Sequence, residues 1–250
     1  TQDYQIDGLP PFLVQGKSAL VLKDSMDYSI HHFPMPDPAL STLLQINEIK
    51  IMNQSLKQKT SVTGNGYFSL LMNASLIDRT YEKCQSECEL MIFPGSKNHI
   101  PDSLTNMELK PDSGKVSFTL SSHQANPLLK TNSGIFINPY PTGFFILGTI
   151  QTLEEKKQSV FLFPGTWKTS TTLHLGDEYE LKYLPQNIKI DSLHYSFSLQ
   201  HNTRGNDIVI DCCLSIGKLY FTAAELNGLA SAFTEIRKAF NQNIIITSKK

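Results

Sequence analysis

The sequence predicts a mostly β fold: one or two packed sandwich-like or barrel-like units completed by a C-terminal amphipathic helix. Three stretches carry that reading. Residues Gly134–Glu180 read as strand, turn, strand, turn, strand. Within them Thr142-Gly143 opens the run Phe144–Leu147, Leu153–Lys157 marks an exposed loop, and Val160–Phe163 stops at Pro164-Gly165. Leu193, Tyr195, Phe197 and Leu199 alternate with polar residues, the period of a strand with one buried face. Leu226, Leu229, Phe233, Ile236 and Phe240 then recur at three- and four-residue steps behind Thr222 and Glu225, a capping box followed by an amphipathic helix.

The elements follow in order. Thr1–Gly16, with Pro10-Pro11, reads as an extended arm leading to a strand at Ser18–Leu22. A polar connection holding His31-His32, Pro34, Pro36 and Pro38 comes next. Leu43–Met52 reads as a strand in which Leu44 and Ile46 share one face and Ile49 and Ile51 the other, so a β-bulge is expected at Asn47-Glu48. Tyr67–Ile77, after the Gly64-Asn65-Gly66 turn, and Leu90–Phe93, before Pro94-Gly95, read as two further strands. Ser96–Gly114 is poor in β-branched residues and holds Pro101, Pro111 and Gly114, which predicts a connection or domain seam. The repeated endings MIFPG (Met91–Gly95) and FLFPG (Phe161–Gly165) leave open a duplicated β unit. Tyr179–Tyr183, Ile208–Ile210, Cys213–Phe221 and Ile244–Thr247 complete the expected strands. The expected organisation is an N-terminal β-rich unit over 1–98, a β-meander unit over 99–190, and strands plus helix over 191–250.

Charge and composition narrow the function classes. A net charge of −1 and a pI near 6.6 argue against a domain that binds nucleic acid by neutralising phosphates. Only three arginines occur, Arg79, Arg204 and Arg237, so forked donors for triphosphate are scarce. The four cysteines, Cys84-x3-Cys88 and Cys212-Cys213, are too sparse for a disulfide scaffold and read as free thiols of a reducing compartment. That places the chain inside the cell, in the cytoplasm or nucleus. Asn53-Gln54-Ser55 and Asn73-Ala74-Ser75 fit the glycosylation triplet, which arises often by chance in a chain rich in Asn and Ser. No apolar run approaches the roughly 20 residues that cross a bilayer, which argues against a membrane-spanning protein. The chain opens on Thr1, as a trimmed fragment does.

No zinc-type spacing, Walker glycine loop or G-x-S-x-G elbow is present, so no catalytic residue, cofactor or metal ligand is assigned. Arg237 and Lys238 flank the apolar stripe of the last helix, but Phe233 and Phe240 lie on the stripe itself, as core residues and not as stacking platforms. The stretch GIFINPYPTGFFILGTIQ, followed by a loop, a short apolar strand and PGT, resembles the third and fourth motifs of the dUTPase family, including its degenerate herpesvirus relatives. The resemblance implies that Asn138 stands at the position of the water-orienting Asp and Tyr140 at that of the sugar-stacking Tyr. An amide is no carboxylate base, and Thr131-Asn132-Ser133 lacks the Arg of the family's phosphate motif. The implied protein is a viral, catalytically inactive dUTPase-like scaffold that binds a host or viral protein. Asp24-Ser25-Met26-Asp27 is the candidate contact segment, since some viral proteins dock on host export factors with a Met between acidic residues. The alternatives are a self-associating matrix or tegument protein, and a single-stranded nucleic-acid binder or nucleotide hydrolase.

Overall fold

The computed structural model describes residues 14–24, 27–52, 55–93, 99–110, 113–125, 128–140 and 160–249. The predicted strand at Phe144–Leu147 and the loop at Leu153–Lys157 lie outside these residues. In chain order the first elements are β1 (Ser18–Leu22), β2 (Tyr28–His32), β3 (Thr42–Met52), β4 (Ser55–Asn65), α1 (Tyr67–Leu76), α2 (Tyr81–Ile92), β5 (His99–Lys110) and β6 (Lys115–Ala125). There follow β7 (Leu129–Thr131), β8 (Gly134–Ile137), β9 (Val160–Phe161), β10 (Gly165–His174), β11 (Tyr179–Tyr183) and β12 (Ile188–Asp191). The chain closes with β13 (Tyr195–Arg204), β14 (Asp207–Ile216), β15 (Tyr220–Phe221), α3 (Ala223–Phe240) and β16 (Ile244–Ser248). The fold is mostly β with a C-terminal helix, as the alternation predicts.

One eight-stranded sheet, in the order β12-β13-β14-β10-β3-β4-β6-β5, draws strands from each of the three predicted segments. Its two halves meet where β3 and β10 run parallel, with Trp167 beside Leu43 and Thr171 beside Asn47. One face of this sheet is covered. Helices α1 and α2 close a core over β4, β5 and β6 built on Phe118, Leu120, Leu76 and Cys88. A second core joins α3, through Leu229, Phe233 and Ile236, to Leu173, Ile210 and Phe197 of the large sheet. It also takes in Ile137 and Ile244 of a four-stranded sheet, β11-β16-β8-β7. Thus β14 and β16, which bracket α3, enter two different sheets, and the helix packs between them.

Several local expectations are corrected. Tyr67–Leu76 is a helix: Phe68, Met72 and Leu76 recur at four-residue steps on its buried side. Gly66 (φ 60°, ψ −136°) turns the chain into it. Leu90–Phe93 ends α2, whose N-cap is Thr80 and whose inward face is Cys84, Cys88 and Ile92. Met91-Ile92 thus ends a helix whereas Val160–Phe161 forms strand β9, so the two stretches are not copies of one unit. Ser96–Gly114 holds the long strand β5, which tolerates Pro101 because it is the sheet's edge and a missing N–H there breaks no second ladder. Strand β3 has no bulge: it pairs residue for residue with β4, burying Gln45, Asn47 and Ile49 while Leu44 and Ile46 face out. Cys213–Phe221 divides into the end of β14 and the short β15.

Among the described residues no helix is long and apolar enough to cross a membrane. All four cysteines are free. Asn73 is fully buried on α1, so that triplet presents no acceptor in the folded chain, and Asn53 lies outside the described residues.

Candidate functional site

Asn138 and Tyr140 follow the last residue of β8, and both are engaged in holding the fold together. Asn138 Oδ1 accepts the Tyr140 N–H at 3.1 Å, while its Nδ2 donates to the Phe240 carbonyl at 2.9 Å, tying this turn to the end of α3. The Tyr140 ring lies in the core against Phe240, with centroids 5.6 Å apart, and its hydroxyl meets His201 Nε2 at 2.7 Å. Both the backbone N–H and Nδ1 of His201 point to Asn187 Oδ1, at 2.7 and 3.2 Å. Asn187 Oδ1 can only accept, so His201 carries its proton on Nδ1 and receives the Tyr140 hydroxyl on Nε2. Burial lowers the pKa of His201 and raises that of Tyr140, to which nearby Tyr183 adds, leaving both neutral. This is a satisfied buried polar group and not a substrate-binding tyrosine.

Residues 133–246 match the family model of DUF3858, a domain of unknown function with a solved structure. That match overturns the dUTPase resemblance, which rested on this same stretch. It runs from the turn before β8 into β16 and so spans α3 and the second core. No curated protein matches the chain.

The predicted contact segment falls at the tip of a two-stranded ribbon. Strands β1 and β2 pair only with each other among the described residues. Lys23 N donates to the Asp27 carbonyl at 2.9 Å, and Asp27 N donates to Asp24 Oδ1 at 2.9 Å, which shapes the tip. Met26 lies outside the described residues. Below the tip, Leu20 stands opposite Ile30 and Leu22 opposite Tyr28. Because opposed residues of an antiparallel pair share a face, these four make one continuous apolar strip. They are 61, 61, 71 and 64% exposed respectively. The ribbon is fastened at its base, where Gly16 N donates to Phe33 O and Phe33 N donates to Lys17 O, at 3.0 and 2.9 Å.

Sequence reading found β1 and missed β2, taking residues after Leu22 as a polar connection. The signal was there: Tyr28 and Ile30 repeat at a spacing of two, as Leu20 and Leu22 do, across a short polar turn.

On the sheet's uncovered face, a depression of about 280 Å³ brings together Lys168, Ser170, Asp211 and Cys213. Ser170 Oγ donates to Asp211 Oδ1 at 2.7 Å. Burial raises the Cys213 pKa, with Lys168 opposing, so the thiol stays protonated and is a poor nucleophile. Among the described residues no group of three or more His, Cys, Asp or Glu side chains could hold a metal.

Proposed function

We propose that the chain is a non-catalytic binding protein that engages a protein partner through the apolar face of the β1–β2 ribbon. The carrying observation is the strip of Leu20, Leu22, Tyr28 and Ile30, exposed on a ribbon whose strands pair only with each other among the described residues. An isolated two-stranded ribbon is marginal in water, and contiguous apolar patches of this kind mark interaction surfaces. Fully burying each of these side chains against a partner is worth roughly 1.5–3 kcal/mol, and the tyrosine suits the centre of such a contact. Burial pushes the Cys88 thiol up to about 12 and also raises Cys212 and Cys213, so these three thiols are poor nucleophiles.

The test is photo-crosslinking from position 22 in native cells, repeated in a Leu20→Asp/Tyr28→Asp chain. The expected outcome is a specific adduct lost in the variant, whose melting temperature stays that of the parent because both side chains are already in water. An adduct that survives both substitutions, or a variant that unfolds, defeats the proposal.

Among the described residues the outer edges of β1 and β2 are unpaired, which favours one second reading, self-association by edge-to-edge pairing with another copy. Sedimentation across a hundredfold concentration range separates the two: the partner reading expects a monomer throughout, and self-association expects a concentration-dependent dimer.

A further inference from the structure

Away from the ribbon, α1, α2 and the covered face of the large sheet enclose a cavity of about 150 Å³. Leu43 and Phe118 line its sheet side, Met72 and Met91 its helix side, and the half-exposed Leu71 is where it meets solvent. Protein interiors pack to crystal density with few voids larger than a water molecule. Apolar cavities of this size stay dry and accept guests the size of benzene.

Two groups break the apolar lining, Gln45 and Ser75, whose Oγ donates to the Leu71 carbonyl at 3.2 Å. Gln45 is 9% exposed, and its Nε2 donates to Asn47 Oδ1 at 3.0 Å. Asn47 fixes that orientation, because its Oδ1 also accepts from Thr60 Oγ1 at 2.9 Å while its Nδ2 is committed to Thr171 Oγ1 at 2.9 Å. Gln45 must therefore present its NH₂ to Asn47, which leaves its carbonyl oxygen without a partner among the described residues. Gln45 is nine-tenths buried at the cavity wall, and its carbonyl oxygen, still reachable by solvent, is free to accept from a guest.

We infer that this cavity is a binding site for a small neutral aromatic molecule bearing one hydroxyl, of the phenol class. The ring lies between the two methionines and Phe118, and the hydroxyl donates to Gln45 Oε1. Methionine sulfur makes favourable contacts with aromatic rings and adapts its shape to the guest, and the volume fits one ring and little more.

The experiment titrates the intact chain with phenol and with benzene, reading the methyl resonances of Met72 and Met91 by NMR, with the exposed Met52 as the reference. Both probes are expected to shift Met72 and Met91 saturably and to leave Met52 still, phenol binding about five- to tenfold more tightly for its extra hydrogen bond. In Gln45→Leu, benzene should still bind and the preference for phenol should disappear. If that variant does not fold, anisole serves on the unaltered chain: lacking the donor, it must bind no better than benzene. Failure of both probes to shift Met72 and Met91 overturns the site. Equal affinity for phenol and benzene, or a preference for phenol that outlasts Gln45→Leu, overturns the role of Gln45.

Discussion

Replacing Asn47 by leucine tests whether the two halves of the large sheet are held together by the buried amide cluster at their seam. Asn47 is 1% exposed, and Thr60 and Thr171 are as deeply buried. Its side chain accepts from Gln45 Nε2, Thr60 Oγ1 and, at a longer 3.4 Å, Gln58 Nε2, and donates to Thr171 Oγ1 across the β3–β10 junction. Leucine has the same four side-chain heavy atoms branching at Cγ and is somewhat bulkier, so the change removes hydrogen bonds and leaves no cavity. Three groups lose their partner: the Gln45 NH₂, the Thr60 hydroxyl proton and the Thr171 hydroxyl oxygen. Gln58 retains Thr60 Oγ1 at 3.0 Å. A buried orphan costs about 1–3 kcal/mol. The Gln45 amide can turn toward the cavity and the threonine hydroxyls can rotate, and the added apolar surface offsets part of the loss. The expected net cost is about 3 kcal/mol, a melting temperature roughly 6–12 °C lower for a chain this long. Urea unfolding supplies the free energy, and a cycle with Thr171→Val should show a coupling near 1 kcal/mol for the cross-junction bond. A variant within 0.5 kcal/mol of the parent, or a cycle with no coupling, would refute the claim that this cluster joins the halves.

Phe233→Ala should cost roughly 3–5 kcal/mol by calorimetry, because the ring is 1% exposed in the second core, whereas Lys238→Ala, which breaks only an exposed pair with Glu235, should change stability little. Gly66→Ala should prevent or severely weaken folding, since a Cβ there would meet the Leu40 carbonyl while the backbone holds φ at 60°; circular dichroism would show it. His201 has a lowered folded pKa from burial, so its stabilising contribution is present above the ordinary histidine value near 6.5 and is lost as pH falls through the lower folded value. The parent's melting temperature should therefore fall below pH 6.5 more steeply than that of His201→Gln. A fragment of residues 128–250 should aggregate, because without β3 the paired side of β10 from Thr166 to His174 becomes an open edge, and size-exclusion chromatography of the refolded fragment decides it.

Elements held by a single local pattern could be read from the sequence. The α3 stripe and its capping box, with Thr222 Oγ1 accepting the Glu225 N–H, need no knowledge of distant residues. The alternation of Tyr195, Phe197 and Leu199 is likewise self-contained, although Leu193, which continues the same spacing, stands 89% exposed before the strand begins. Strand β3 inverts the usual rule for a reason no local pattern contains. Gln45 and Asn47 can turn inward because Thr171, 124 residues away, waits to pair with Asn47, and that leaves Leu44 and Ile46 in water. Tyr67–Leu76 misleads through its aromatic start, yet the Phe68, Met72, Leu76 spacing marked a helix all along. Of the two residues at the centre of the family resemblance, Asn138 ties down a helix end and Tyr140 fills a core. A short motif in an Asn- and Tyr-rich turn is thus as well explained by capping and packing as by chemistry.

The ribbon and the cavity both lie N-terminal to residues 133–246, outside the matched segment. Within that segment the polar groups at the predicted site are already committed: Asn138 to Phe240 and Tyr140, His201 to Tyr140 and Asn187. By contrast, among the described residues the strip on β1 and β2 is apolar surface that none covers, and the Gln45 carbonyl oxygen at the cavity wall has no donor. Satisfied groups account for a fold, whereas exposed apolar area and an orphaned acceptor leave free energy to be gained by binding. The parallel pairing of β3 with β10 ties the two regions into one sheet. On this reasoning the matched segment is the support for one half of the sheet, and binding is to be sought on residues 18–32 and around Gln45.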